Sequence, residues 1–104
     1  MVLIDVKTAL KNYYTNDDGD KLFDIIVDNF ENDNPIQVSF KGIDSLNSSF
    51  VNSAFIRLLD VYTFDEIREK LSFVDTNKQI NLLILGRFKF EVKKKAEIKE
   101  MVLA

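Results

Sequence analysis

The stretch IQVSFKGIDSLNSSFVNSAFIRLL, Ile36 to Leu59, decides the fold. Ile36, Val38 and Phe40 alternate with Gln37, Ser39 and Lys41, which is the period of a strand with one covered face. A strand covered on both faces reads instead as a continuous apolar run. From Phe50 the period changes. Phe50, Val51, Ala54, Phe55, Leu58 and Leu59 fall at helical spacing, and Asn52, Ser53, Arg57 and Asp60 take the other side. A half-covered strand running into an amphipathic helix predicts an α/β domain with helices packed on one face of the sheet. Between the two lies a polar turn. Gly42 and Asp44 make its approach, and three serines and two asparagines follow before Ser53. A helix start needs one polar side chain to accept a bond from a free backbone N–H, and Asn47 or Ser48 supplies it. The polar residues in excess of a cap mark a candidate partner-binding surface made of Asp44, Ser45, Asn47, Ser48, Ser49 and Asn52.

Outward from this centre, the amino-terminal side reads clearly in two places. Val2, Ile4 and Val6 alternate with Leu3 and Asp5 as a short first strand does. KTALKNYYT reads as a connection or an edge strand. In TNDDGDKLFDIIVDNFEN, Leu22, Ile25, Ile26 and Phe30 trace a helical face, with Phe23 and Val27 beside them. Asp17, Asp18 and Asp20 sit where the positive end of a helix dipole favours negative charge. Pro35 disfavours helical geometry at the residue before it, so NDNP ends the helix. On the carboxyl side, TFDEIREKL predicts a short helix opened by a capping box of Thr63 with Glu66.

The last third fits two periods. INLLIL and RFKFEV read as strands by propensity and alternation. Ile80, Leu83, Ile84, Phe88, Glu91 and Val92 also trace a helical face, with Asp75 or Thr76 as its cap and Glu91 paired to Lys95 four residues on.

The 104 residues contain no His and no Cys. That removes Ser-His-Asp and Cys-His nucleophiles, thiolate metal sites and disulfides together. The three Gly are isolated at 19, 42 and 86, so no phosphate-cradling loop exists. DDGD lacks the alternating acids and the late Glu of a calcium loop. The expectation is a protein with no enzymatic activity, no metal and no cofactor. MVLIDV offers no signal peptide, and LLIL is far too short to span a bilayer, so the protein is expected in the cytoplasm.

The net charge of −3 is unevenly spread. Residues 17–33 hold seven acids against one Lys, and residues 87–100 hold six bases against three acids. Both runs read first as solvated helix faces. Glu91, Glu97 and Glu100, interleaved among the lysines of an acidic chain, argue against nucleic-acid binding. With 46% apolar residues and nine Phe, the chain builds a core of its own. One domain over residues 1–104 is expected, with a tail from about 96 to 104 that frays, as a monomer or weak homodimer.

The central stretch resembles a known pattern. VSFKGIDSLNSSFVNSAFIRLL is similar to the signature of the STAS-like family of unknown function DUF4325, matched here at Phe40, Gly42, Ile43, Ser48, Ser49, Phe50, Asn52 and Ala54. Asp18, Gly19 and Leu22 resemble that family's helix entry, and KLSFVDTNKQINLLI resembles its short strand followed by a helix. The resemblance runs from about Val2 to Val92. It implies a small STAS-like fold with a mixed sheet, and it resolves the last third as a strand at 71–75 with a long helix from about 76. It implies a bacterial or phage regulatory module that docks a protein partner through the turn, and a histidine-kinase-like ATPase as that partner. The more distant anti-sigma-factor antagonists carry Asp-Ser-Ser-Gly here, with one Ser as phosphoacceptor. The four positions are Asn47, Ser48, Ser49 and Phe50 in this chain, so Ser49 is the candidate phosphoacceptor, with the acid and the Gly both replaced. Asn16 stands where relatives often carry Arg. A second reading uses the acidic helix instead: a phage-encoded inhibitor whose Asp20, Asp24 and Asp28 mimic nucleic acid toward a host factor.

Overall fold

A computed structural model describes the backbone of residues 1–103 and the side chains of residues 1–96. The expected fraying of the tail from about 96 concerns residues that lie largely outside that description. The order is β1 (Val2–Asp5), α1 (Val6–Ala9), α2 (Asn16–Glu31), β2 (Ile36–Ser39), α3 (Ser48–Ala54), a 3-10 helix (Ile56–Asp60), α4 (Phe64–Lys70), β3 (Leu71–Val74) and α5 (Lys78–Leu103).

The strands lie in the order β1-β2-β3. Both pairings are parallel, with Val2 opposite Ile36 and Ile36 opposite Leu71. The expected mixed sheet is therefore parallel throughout among the described residues. Alternation reports which side of a strand is covered and carries no information on direction; the long connections, each containing a helix, permit parallel crossovers. Both crossovers step the same way across the sheet. Crossovers of one hand stepping in one direction place their helices on one face. The register shows it: Leu3, Gln37 and Ser72 share one row on the open face, with Leu3 and Ser72 exposed. Ile4, Val38 and Phe73 share the next row beneath the helices.

Local chemistry sets the boundaries. Asp5 ends β1 because its carboxylate accepts from the backbone of Lys7 and Thr8 and starts α1. The segment KTALKNYYT, expected as a connection or edge strand, is thus one short helical turn followed by an irregular connection. Thr15 and Asp18 form a reciprocal capping box on α2, and Thr63 and Glu66 form the expected one on α4. The helix expected from Phe50 through Leu59 is two pieces, because α3 ends at Ala54 and the chain tightens into the 3-10 helix.

The core lies between the sheet and the helix layer. Phe55 is fully buried and meets three other rings, Phe40 at 6.2 Å, Phe50 at 6.4 Å and Phe73 at 5.1 Å between centroids, all edge-on. Ile80, Ile84 and Phe88 close this core from α5, so the helical reading of the last third holds. Its cap is Asn77, whose side chain accepts from the Ile80 backbone at 3.0 Å, in place of the expected Asp75 or Thr76. Asp75 instead takes a left-handed backbone (φ 53°) and accepts a 2.6 Å bond from Ser39, tying the ends of β2 and β3 together. Glu91 pairs with Arg87 at 3.1 Å, and Lys95 reaches Asp60, so the expected Glu91–Lys95 pair does not form.

Candidate functional site

The polar turn lies beyond the carboxyl end of β2, the central strand of the sheet. Gly42 opens it with φ +78°, a conformation that costs a residue with a Cβ, and the Ile43 N–H closes on the Phe40 carbonyl at 2.9 Å. Ile43 and Leu46 are buried and plug the loop into the core, while Asp44 and Ser45 between them stay exposed. Two buried anchors thus flank the exposed pair, so the backbone cannot shift without lifting an apolar side chain into water.

Side chains from other elements then fix that backbone. The Asn77 amide donates to the Asp44 carbonyl at 2.7 Å. The Gln79 side chain both accepts from the Leu46 N–H and donates to the Leu46 carbonyl, each at 3.1 Å. Asn47 serves two elements: its oxygen caps α3 by accepting from Phe50 N–H at 2.9 Å, and its amide donates to the Tyr14 carbonyl at 2.8 Å. Tyr14 is itself fixed, since the Asp18 carboxylate accepts from the backbone of Tyr14 and Thr15 at 3.0 Å each. These bonds run without a break from α2 through Tyr14 to α3. They also hold the Asp18 carboxyl below its ordinary range, with the Tyr14 N–H as the largest cause.

Four expected site residues, Asp44, Ser45, Ser48 and Ser49, are brought together with exposed side chains, the serines of α3 forming its first turn. Phe50 is fully buried, so the bulk that replaces the antagonists' Gly points into the core and leaves Ser49 unscreened. Asn47 is exposed yet committed to its two bonds. Asn52 departs from the group: it is half-buried, and its oxygen accepts from Arg87 on α5 at 2.8 Å. It therefore joins helices, and its amide oxygen is not free for a partner. Reading the sequence missed Asn77, Gln79 and Tyr14. Polar residues before a helix read only as caps, and nothing local marks a carbonyl more than thirty residues away as their target.

The acidic face of α2 is partly neutralised. Asp20 pairs with Arg57 at 2.5 Å, and that guanidinium lies 3.9 Å over the Phe23 ring. Asp24 and Asp28 remain exposed. Nearby, burial and then the Glu31 carboxylate push the Tyr62 hydroxyl up to about 12, which keeps it a donor to Glu31. Among the described residues no group of His, Cys, Asp and Glu is arranged to hold a metal ion, and no helix is long and apolar enough to cross a membrane.

The Asp18 carboxylate makes a pH prediction. Its folded pKa is depressed, so its contribution is full above the unfolded value of about 3.9 and is lost as pH falls through the folded value. Asp18→Asn keeps an acceptor and removes the charge. The variant unfolds more easily than the parent above about pH 4, and the two unfolding midpoints converge below it. Parallel pH series of urea unfolding measure this; a gap that persists undiminished at the acid end contradicts it.

A family model described as a STAS-like domain of unknown function (DUF4325) matches residues 18–81. The matched segment begins at the carboxylate that holds Tyr14, contains the whole turn and ends just past Gln79. Comparison with curated proteins gives no match, and neither does comparison with solved structures.

Proposed function

The chain belongs to this STAS-like family, and from that premise we propose that it is a non-enzymatic regulatory module that docks a protein partner through the turn at 44–49 and the first turn of α3. One observation carries the reading. The loop backbone is fixed at Asp44 and Leu46 by the Asn77 and Gln79 side chains at the start of α5, and the Asn47 side chain ties the loop to the Tyr14 carbonyl, yet the side chains of Asp44, Ser45, Ser48 and Ser49 all face solvent. Holding a loop in one conformation removes ordering entropy from the binding step, which is the physical advantage of a preorganised surface. A helix cap alone requires only the Asn47–Phe50 bond.

The partner class that the family resemblance favours is a histidine-kinase-like ATPase. Such a partner makes Ser49 a candidate phosphoacceptor, since a phosphate there lies beside free N–H groups at a helix start. The acidic-mimic reading is weaker, because Arg57 occupies Asp20 in the middle of the Asp17–Asp28 face.

The test is binding to such an ATPase encoded beside this chain, by calorimetry. Ser48→Ala and Ser49→Ala should weaken binding with unchanged unfolding midpoints. Asn47→Ala should also cost about 0.5–2 kcal/mol of stability, because it loses the cap. A phospho-switch further requires that Ser49→Glu abolishes binding where Ser49→Ala only weakens it, and that the kinase adds one phosphate by mass. Unchanged affinity in all three serine variants would place the docking surface elsewhere. A complex dissolved by salt and by loss of Asp24 and Asp28 would favour the mimic instead.

A further inference from the structure

A second surface lies at the outer edge of β3. No strand pairs with that edge among the described residues, since β3 ends the three-stranded order. Soluble proteins blunt such edges with charges, Pro, bulges or a covering segment. The strand Leu71–Val74 reads LSFV and contains neither charge nor Pro. Beside it, between α4 and α5, opens a groove of about 550 Å³. Its walls are Phe64 and Ile67 of α4, Ile84 and Phe88 of α5, and the inward-facing Leu71 and Phe73 of β3 itself. Phe73 is only half-buried although it stands on the helix-covered face, so this end of the core lacks a neighbour.

Strand geometry says what fits. A fourth strand would lie about 4.8 Å from β3, and its inward side chains, two residues apart, would stand beside Leu71 and Phe73. The groove occupies that space. Arg68 also lines it, on the side of α4; its side chain is two-thirds exposed, 3.5 Å from Asp65 and with its guanidinium 5.4 Å from the centre of the Phe64 ring.

We propose that β3 is a docking edge for an extended segment of a partner protein, which adds as a fourth strand, places alternate apolar side chains in the groove and meets Arg68 with an acidic residue. The mode is main-chain pairing for affinity with side-chain pockets for specificity. A second copy of this chain fits less well, because β3 against its own two-fold mate sets two concave grooves side by side and fills neither. A small apolar molecule would fill the groove and leave the outward backbone groups of Phe73 unpaired; the Leu71 N–H is already bonded to the Ile67 carbonyl. This surface is separate from the turn and stands or falls without it.

Short random peptides displayed on phage and selected on the folded protein provide the test, repeated on Arg68→Glu. The expected winners show apolar residues at every second position and an acidic residue near one end. Selection on Arg68→Glu exchanges that acid for a base, and the wild-type winners lose about tenfold in affinity for the variant. Amide shifts on binding should centre on Ser72, Phe73 and Val74, and Leu85→Trp, at the exposed lip of the groove, should block them. Four results overturn the proposal: no enrichment, winners with helical spacing, shifts centred on Ser48 and Ser49, or a concentration-dependent dimer of the chain that Leu85→Trp dissolves.

Discussion

Phe55→Ala should lower the free energy of unfolding by about 3–5 kcal/mol. Phe55 is fully buried and its ring is the one shared by Phe40, Phe50 and Phe73, so truncation removes three aromatic contacts and opens a void between sheet and helix layer. The void has nowhere to collapse, because Phe55 sits at the junction of α3 and the 3-10 helix, where the Phe55 N–H is bonded to Val51 and the Leu58 N–H to the Phe55 carbonyl. Against a total stability typically of about 5–15 kcal/mol, the loss leaves the variant marginal at physiological temperature. Denaturant titration measures it. Phe40→Ala combined with Phe55→Ala should cost less than the sum of the two, because the pair share one contact. A loss below about 1 kcal/mol, the centre of ordinary substitutions, would remove Phe55 from the middle of the core.

The second large effect comes from the smallest side chain. A Cβ at Gly19 would stand 2.6 Å from the Ser53 Cβ, 2.8 Å from the Phe50 carbonyl and 3.1 Å from the Ala54 nitrogen. Two of the three are backbone atoms of α3 and cannot rotate away. Gly19→Ala gains about 1 kcal/mol of helix propensity and still destabilises, because overpacking of this kind costs about 1–3 kcal/mol and more where backbone must move. The strain also pushes apart α2 and α3, the two elements joined through Tyr14 and Asn47, so turn mobility should rise along with the loss of stability. Gly86 is the control. A Cβ there meets nothing within 4 Å, so Gly86→Ala should stabilise α5 by up to about 1 kcal/mol. If both alanines raise the midpoint, the close approach of α2 and α3 at Gly19 is contradicted.

These two glycines show how far sequence reading reaches. Gly19 reads there as part of a helix-entry pattern with Asp18 and Leu22, and Gly86 only as one of three isolated glycines. Their opposite roles depend on what lies opposite each helix face, which is a long-range fact. What was legible is what local periodicity and capping encode: the one-faced alternation of Ile36 to Lys41, the buried stripe from Phe50 to Leu58, and the box at Thr63. Strand direction was not legible, because parallel and antiparallel strands bury the same alternate residues. The last third is ambiguous because Ile80, Leu83 and Ile84 satisfy both periods, and the family resemblance supplied the decision that Ile84 and Phe88 confirm by their burial. The candidate site divides in the same way. A cap at Asn47 or Ser48 and an exposed polar turn follow from composition and position, and the structure gives the cap to Asn47. The clamps from Asn77 and Gln79 do not, nor does the engagement of Asn52 by Arg87, since each joins groups more than thirty residues apart.

The strand order β1-β2-β3 bears on how the chain acquires its shape during synthesis. Each strand pairs with the one made just before it, and the partners are separated by nearly equal spans, Val2 to Ile36 and Ile36 to Leu71. Each pairing therefore closes a loop of similar entropic cost, and neither waits for a strand still inside the ribosome. The first strand pair with α2 can assemble once β2 has emerged, and β3 then adds to an existing template. The final step differs in kind. Ile80, Ile84 and Phe88 follow β3 and close the core, so a chain released before Lys78 leaves apolar surface of that core open to water and prone to association.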